Sequence, residues 1–192
     1  MKILCLYNND CALALFDEIK KLGHETVLYS DRLTTQYLAG ENFDLAVSYT
    51  YRYILTGEMI KALKGNVVNI HNSYLPYNRG ADPNLWSLKD STPRGVTLHY
   101  MDEGLDKGFI IAQRLVTEGD GETLKSSYDN LDRNAREMFM EAFAYYDKWP
   151  AIKRVPKGKG SYHSVKDGIP MKELIPSYDM KISDFLEAVK RL

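Results

Sequence analysis

The stretch VVNIHNSYLPYNRG, residues 67–80, joins a run that favours burial to a cluster of polar groups. Its first part, VVNIH, is typical of a buried strand, and the L-P-Y-N-R-G that closes it favours a turn. Asn69, His71 and Ser73 occupy alternate positions, and an extended strand would point all three side chains to one side. The end of this strand is therefore where we expect the chemistry to lie.

On the amino-terminal side of this strand, short apolar runs alternate with helical patterns. The strand-like runs are KILCLY, ETVLYS and FDLAVSY, and the helix-like stretches are CALALFDEIKKLG and GEMIKALKG. This alternation predicts an α/β fold in which a mostly parallel, twisted sheet is flanked by helices. In such sheets ligands bind beyond the carboxyl ends of the strands, which again indicates the end of VVNIH.

On the carboxyl-terminal side, ADPNLWSLKD predicts a short helix with a proline near its start. GVTLHYMD and FIIAQRLV predict two more strands, and the EGLDKG between them favours a tight hairpin-like turn. Residues 122–149 have the periodicity of one long helix. We expect residues 1–149 to form one domain, and residues 150–192, which are irregular and end in a short helix, to pack on it as an extension.

The charge balance gives no indication of an anionic partner, although a local basic patch remains open. Lys and Arg number 25 against 26 Asp and Glu, a net charge of −1 in 192 residues, so the overall charge gives no reason to expect a nucleic acid or an anionic membrane. The opening MKILCLY is too short an apolar run for a signal peptide or a membrane span. With only two cysteines, the chain is expected to be cytoplasmic, with reduced thiols.

The common catalytic and metal-binding motifs are absent from the sequence. It contains no P-loop, no G-x-G-x-x-G after the first strand and no G-x-S-x-G. The four histidines are scattered, none lies in H-E-x-x-H, and there is no C-x-x-C. We therefore predict that the protein has no metal site.

Polar residues that could act together lie at several of the predicted strand ends. They lie in N-I-H-N-S at residues 69–73, in GVTLH, which ends in His99, and in D-E-G-L-D-K-G at residues 102–108. An Asn beside a His supplies hydrogen-bond donors that can hold a carbonyl oxygen as it becomes an oxyanion. An Asp near that His can orient the ring and accept or relay a proton. Together these groups predict acyl transfer without a covalent enzyme intermediate.

These motifs resemble those of a known family. N-I-H-N-S-Y-L-P with R-G after it, then G-V-T-L-H-Y-M-D-E-G-L-D-K-G, is similar to the signature of the 10-formyltetrahydrofolate-dependent formyltransferases. The resemblance implies a Rossmann-like formyltransferase fold with Asn69, His71 and Asp106 as catalytic residues. Asn69 and His71 would bind the formyl oxygen while an acceptor amine attacks the formyl carbon. Asp106 would support His71 and help to move the proton, and His99 resembles the histidine beside this triad.

The resemblance also implies 10-formyltetrahydrofolate as the cosubstrate. The family binds the pterin ring mostly through backbone groups of two loops, which match SYTYRYIL and the acidic loop before the catalytic Asp. The cofactor-binding candidates are Arg52, Tyr53, Ile54, Leu55, Met101, Asp102 and Glu103.

Differences within the family indicate the acceptor. A methionyl-tRNA formyltransferase carries a further RNA-binding domain, for which residues 150–192 are too few, so tRNA is not expected. A glycinamide ribonucleotide enzyme has a Gly- and Ser-rich phosphate loop where Asn8, Asn9 and Asp10 stand here. LPYNRGADPNLWSL and the tail GKGSYHSVKD are most similar to the nucleotide-sugar N-formyltransferases and to formylation domains of nonribosomal peptide synthetases.

We therefore expect a 4-amino or 3-amino deoxy-sugar, linked to a nucleotide, as the small-molecule substrate. The substrate-binding candidates are Arg79, Asp82, Trp86 and Tyr162. Some sugar formyltransferases of the family pair through C-terminal elements, so the tail after Trp149 is a candidate contact for a homodimer.

Three alternatives remain open: a phosphoribosylglycinamide formyltransferase, a formyltetrahydrofolate hydrolase, and a folate-binding module without catalysis. The related hydrolases carry an additional N-terminal regulatory domain, whereas MKILCLY starts the predicted sheet directly. A module without catalysis would be expected to have lost one of Asn69, His71 or Asp106, and all three are present.

Overall fold

The computed structural model describes residues 1–117, 119, 121–190 and 192 of the chain. The strands are β1 (Lys2–Leu6), β2 (Glu25–Tyr29), β3 (Leu45–Tyr49), β4 (Val67–His71), β5 (Arg79–Gly80), β6 (Gly95–Tyr100), β7 (Ile110–Leu115) and β8 (Tyr162–His163). The α-helices are α1 (Leu13–Lys21), α2 (Thr35–Ala39), α3 (Gly57–Ala62), α4 (Pro83–Lys89), α5 (Leu124–Phe143), α6 (Trp149–Ile152), α7 (Ile169–Glu173) and α8 (Ile182–Val189). Short 3₁₀ helices lie at Asp10–Ala12 and Tyr146–Lys148. Among these described residues, no helix combines the length and the apolar character that a membrane crossing needs.

Within the described part of the chain, β2, β1, β3, β4, β6 and β7 lie side by side in that order in one sheet. The first four are parallel, which confirms the mostly parallel sheet that the sequence predicts. β6 runs antiparallel to β4, and β7 runs antiparallel to β6. The prediction of a tight turn between β6 and β7 is wrong. Residues 101–109 form a longer loop, because Asp106 within it reaches back to the backbone of Gly80.

Alternate residues of β1 pack on opposite faces of the sheet. Ile3 and Cys5 face the apolar cluster that α1 and α5 cover, whereas Leu4 and Leu6 face the cluster beneath α2 and α3. All four side chains are fully buried, so this stretch is continuously apolar rather than alternating. Every residue of β3 is buried as well, which places both strands in the middle of a core with two faces.

The long helix α5 begins at a capping box. The Thr123 hydroxyl accepts a hydrogen bond from the Ser126 N–H at 3.1 Å, and the Ser126 hydroxyl accepts one from the Thr123 N–H at 2.9 Å. The helix ends at Phe143, although the sequence periodicity extends to Trp149. The chain turns back there because Trp149 is fully buried against the helix end and donates its indole N–H to the Ala142 carbonyl at 2.9 Å.

Residues 150–192 contain more regular structure than the sequence predicts. α7 and α8 pack with α4 in a third apolar cluster, in which Leu85, Met171 and Phe185 are buried. β8 pairs in parallel with β5, separately from the main sheet. This pairing lays the segment before β8 along the β4–β5 loop, residues 72–78.

Candidate active site

Asn69 and His99 meet across the β4–β6 pair. They are direct partners in the strand register, and the Asn69 amide donates a hydrogen bond to Nε2 of neutral His99 at 3.3 Å. The Ser48 hydroxyl donates to Oδ1 of Asn69 at 2.9 Å, and Nδ1 of His99 donates to the Tyr100 carbonyl at 2.8 Å. These bonds fix the orientation of the Asn69 amide and leave its second N–H for a further acceptor.

His71 lies two residues further along β4. Its side chain is buried, with Nε2 at 2.9 Å from the Asn78 carbonyl. A carbonyl oxygen only accepts hydrogen bonds, so Nε2 carries the hydrogen of the ring. In the neutral ring the lone pair is therefore on Nδ1, to which no other described residue donates a hydrogen bond.

Asp106 reaches both histidines from the loop of residues 101–109. Its backbone lies in the left-handed region with φ of 50°, which Asp adopts more readily than most residues. Oδ2 accepts a hydrogen bond from the Gly80 N–H at 2.8 Å and lies 3.7 Å from Nε2 of His71. Oδ1 lies 3.5 Å from Nε2 of His99. One carboxylate therefore faces both rings.

The pKa of Asp106 lies well below its ordinary value. Burial of the carboxyl group is the largest single effect and acts in the opposite direction, raising the pKa. The positive charge that His71 and His99 carry when protonated, and the hydrogen bond from the Gly80 N–H, together outweigh burial. Asp106 is therefore a carboxylate at neutral pH, although it is almost completely enclosed.

The structure brings Asn69, His71, His99 and Asp106 together, but not by the route that the sequence suggests. The prediction placed His99 at a strand end shared with β4, whereas the antiparallel β6 sets it beside Asn69 within the paired strands. Ser73 is not part of the site. It follows the end of β4, is fully buried, and donates its hydroxyl to a backbone carbonyl of the next turn at 2.7 Å.

The first group of cofactor candidates, Arg52, Tyr53, Ile54 and Leu55, lies on the loop between β3 and α3. The Arg52 guanidinium lies 5.3 Å from the centre of the Tyr53 ring, and Ile54 is 75% exposed. Leu55 is buried in the cluster beneath α2 and α3. A contact through the Leu55 side chain is therefore excluded by packing, and only its backbone remains a candidate.

The second group, Met101, Asp102 and Glu103, borders a groove of about 370 Å³ along α3. The Glu103 side chain lies against Gly57, the first residue of α3. The other residues that line the groove are Ile60, Lys61, Lys64 and Gly65. The two groups of candidates therefore approach each other near the first turn of α3.

The four residues predicted to bind the acceptor substrate lie in different surroundings. Arg79 and Tyr162 are partners in the β5–β8 pair, and the Tyr162 side chain is exposed. Asp82 forms an ion pair with a lysine of α7 at 2.8 Å. Trp86 is buried and stacks on His163 with ring centres 3.8 Å apart. This stacking covers one face of the indole with protein, so Trp86 packs α4 against β8.

Comparison with known proteins identifies the family. The family model described as formyl transferase matches residues 12–143, which include Asn69, His71 and Asp106. The chain belongs to the formyl transferase family.

Solved structures of similar proteins cover most of this formyl transferase. PseJ from Anoxybacillus kamchatkensis, in complex with UDP-4,6-dideoxy-4-formamido-L-AltNAc and tetrahydrofolate, is 37% identical, with a TM-score of 0.83 and 97% of both chains covered. Rv3404c from Mycobacterium tuberculosis, described as a likely sugar N-formyltransferase, is 26% identical, with a TM-score of 0.75. That match covers 88% of this chain and 78% of Rv3404c.

Curated relatives are longer than this chain. The dTDP-4-amino-4,6-dideoxyglucose formyltransferase of Mycobacterium tuberculosis is 29% identical over 152 residues, which are 79% of this chain and 64% of the relative. A methionyl-tRNA formyltransferase of Listeria monocytogenes is 35% identical over 99 residues, which are 51% of this chain and 32% of the relative. The chain thus spans less than two thirds of the length of these curated relatives.

Sequence reasoning missed the residues that hold the site of this formyl transferase in place. Ser48 orients the β4 amide, Asn78 anchors His71, and Gly80 anchors Asp106. Asn78 and Gly80 have φ of 54° and 89°, and Asn and Gly are the residue types that tolerate this left-handed backbone. The L-P-Y-N-R-G sequence therefore indicated the backbone shape of the turn, but it did not indicate which side chains the turn contacts.

Proposed function

We propose that this formyl transferase moves a formyl group from 10-formyltetrahydrofolate to the primary amine of a nucleotide-linked amino deoxy-sugar. The observation that carries the proposal is the convergence of Asn69, His71 and Asp106 in a chain of this family. The folate supplies the formyl group when it is bound. The residues of this chain supply orientation, charge stabilisation and movement of the proton.

Asn69 and His71 are the proposed donors to the formyl oxygen. Asn69 has one amide N–H beyond the bond that it makes with His99. His71 already commits Nε2 to the Asn78 carbonyl, so it can donate a second hydrogen bond only as an imidazolium, through Nδ1. Such donors contribute most where the oxygen becomes negative, as it does when an amine attacks the formyl carbon.

Asp106 is the proposed proton acceptor. An amine that has bonded to the formyl carbon must lose a proton, and a nearby carboxylate can take it. A carboxylate of low pKa is a weak base, so Asp106 would relay this proton towards the leaving group and would not keep it. Between transfers, its negative charge interacts favourably with a protonated His71 at 3.7 Å.

The folate is proposed to bind between the β3–α3 loop and the loop of residues 101–109. The groove of about 370 Å³ beside Met101 falls within the range of small-molecule pockets, about 300–1,000 Å³. Its lining combines two apolar side chains and two glycines with four charged side chains, those of Lys61, Lys64, Asp102 and Glu103. The proposed contacts are Arg52, Tyr53, Ile54, the Leu55 backbone, Met101, Asp102 and Glu103.

The proposed acceptor carries its amine at position 4 of a 4,6-dideoxy sugar. PseJ is in complex with a UDP-linked sugar that has a formamido group at position 4, and the mycobacterial relative is named for a dTDP-4-amino-4,6-dideoxy sugar. These two agree on the position of the nitrogen and differ in the nucleotide. Arg79 and the exposed Tyr162, with Asp82 nearby in sequence, remain the proposed contacts.

The test is the release of free tetrahydrofolate from 10-formyltetrahydrofolate, with and without a panel of amines. Release that requires a UDP- or dTDP-linked 4-amino sugar supports the proposal. Release without any amine would indicate a hydrolase, and release with glycinamide ribonucleotide alone would indicate a phosphoribosylglycinamide formyltransferase. Binding of folate without release would indicate a module without catalysis. Each of the last three outcomes would contradict the proposal.

Asp106→Asn tests the assignment of the site. The substitution keeps the size of the side chain and removes its charge, so kcat should fall by about 10²- to 10⁴-fold, the range for loss of a general acid–base group. Asp17→Asn is the matched control, because Asp17 is exposed on α1. Near-normal transfer by Asp106→Asn would show that Asp106 is not the proton acceptor.

A further inference from the structure

The segment before β8 contacts the loop that carries the anchors of His71 and Asp106. The Arg79 N–H donates to the Ser161 carbonyl at 3.1 Å, and the Ser161 N–H donates to the Pro76 carbonyl at 3.2 Å. One residue beyond Gly80, the Ala81 N–H donates to a carbonyl of β8 at 2.9 Å. The C-terminal extension is therefore hydrogen-bonded to both ends of the turn that anchors the catalytic side chains.

Ser161 makes the most specific of these contacts. Its hydroxyl accepts a hydrogen bond from the Asn78 N–H at 2.8 Å and donates one to Oδ1 of Asn78 at 3.0 Å. The Asn78 amide donates to the Thr92 hydroxyl at 2.7 Å, so the side chain of this fully buried residue is held from two sides. The Asn78 carbonyl then accepts the hydrogen bond from Nε2 of His71 at 2.9 Å.

Two glycines permit the close approach of this segment. A Cβ on Gly160 would collide with the Pro76 carbonyl, and one on Gly80 would collide with the His163 carbonyl. Their φ angles, 61° and 89°, lie in the left-handed region that favours glycine. The segment therefore fits against the β4–β5 loop by shape as well as by hydrogen bonds.

We propose that Ser161 is a positioning residue for His71, and that residues 158–163 complete the catalytic site from the C-terminal extension. Ser161 fixes Asn78, and the Asn78 carbonyl keeps the hydrogen on Nε2 of His71. The ring is thereby held in one orientation and, when it is neutral, in one tautomer, with Nδ1 bonded to none of the described residues and open to protonation. The effect on transfer rests on the proposed function, whereas the effect on the ring does not.

The kinetic test compares Ser161→Ala with Ser164→Ala. Ser164 lies in the same extension, but its hydrogen bonds go to Asp167 rather than to Asn78. Because misplacing a reacting group by about 1 Å can cost roughly 10²-fold in rate, kcat should fall about 10- to 100-fold in Ser161→Ala, with the KM for the folate little changed. Ser161→Thr keeps the hydroxyl and should recover most of the lost kcat, and Ser164→Ala should behave like the wild type.

A second readout does not depend on activity. NMR spectra of the ¹⁵N-labelled histidine rings, recorded where the rings are neutral and assigned with a His71→Gln variant, report which nitrogen carries the hydrogen. We expect the Nε2–H tautomer of His71 in the wild type and in Ser164→Ala, and a mixture of tautomers in Ser161→Ala. An unchanged His71 tautomer together with wild-type kcat in Ser161→Ala would overturn the proposal. If the tautomer responds as expected but no amine supports transfer, the proposed function fails and the positioning contact stands.

Ser161→Cys replaces Ser161→Ala if the latter does not fold. It keeps a similar side-chain volume but replaces the hydroxyl, which bonds Asn78, with a thiol that is only a weak donor and acceptor. The same mixture of His71 tautomers and a lower kcat are expected. A wild-type His71 spectrum together with a wild-type kcat in folded Ser161→Cys would overturn the proposal.

Discussion

Asp106 determines the charge of the site. Its carboxylate accepts a hydrogen bond from Gly80 and faces His71 and His99, and its pKa is held below the ordinary value. A carboxyl group whose pKa is lower in the folded state binds more protons when the chain is unfolded. It therefore stabilises the fold above its unfolded pKa of about 3.9, and this stability is lost as the pH falls towards the folded pKa.

We predict that the free energy of unfolding decreases more steeply below about pH 4 in the wild type than in Asp106→Asn. The reason is that only the wild type loses a carboxylate that the native site stabilises. Urea unfolding at a series of pH values measures this free energy. If the free energy of unfolding of the wild type minus that of Asp106→Asn increases as the pH falls, the pKa of Asp106 is not depressed.

The proposed catalytic side chains could be named from sequence because their chemistry is visible as residue types in a motif. Burial of a single side chain is not visible in this way. Leu55 and Trp86 follow loops that match the family, yet the first is in the apolar core and the second is stacked on His163. Which residues of a loop face a ligand depends on packing between distant segments, and a motif does not record that packing.

At the scale of elements, the direction of β6 decides how the site is assembled. Because β6 is antiparallel to β4, His99 lies opposite Asn69, and the loop that follows Tyr100 begins near Val67, at the amino end of β4. That loop must fold back along the strand pair to bring Asp106 to His71. The apolar runs predicted the strands themselves, but strand direction depends on which neighbours pair, and this is not encoded locally.

The capping box of α5 provides a test at the scale of one helix. Thr123→Ala removes the side-chain bond to the Ser126 N–H and should lower the free energy of unfolding by about 1 kcal/mol. Transfer activity should be unchanged, because neither residue is hydrogen-bonded to Asn69, His71 or Asp106. Thr35→Ala is the control, since Thr35 is exposed in α2 and its hydroxyl makes no hydrogen bond to the described residues. Equal stability of the two variants would contradict a stabilising role for the box.

At the scale of the whole molecule, the C-terminal extension packs against α4 and the first turn of α5. α8 lies against α4, and Phe185 is fully buried in the cluster that they share. Leu124, the first residue of α5, belongs to this cluster too. The extension therefore contacts α4, which precedes β6 and β7 in the sequence, and α5, which follows them. Contacts of this kind favour one cooperative unit.

We therefore predict a single unfolding transition in urea. Tryptophan fluorescence reports the surroundings of Trp86 beside β8 and of Trp149 beside α5, and far-UV circular dichroism reports the helices. The two signals should give the same midpoint, because the sheet and its helices should lose stabilising contacts when the extension unfolds. Fluorescence that changes at a lower urea concentration than dichroism would indicate that the extension unfolds separately.

The bond between Ser161 and Asn78 joins residues 83 positions apart, which has a consequence for biosynthesis. At about 5–20 residues per second, a ribosome needs roughly 4 to 17 s to extend the chain from one to the other. In the later part of that interval, once Asp106 has been added, the emerging polypeptide contains the proposed triad but lacks Ser161, which holds the Asn78 carbonyl against the His71 ring. Turnover should therefore begin only after the late segment has emerged from the exit tunnel and docked.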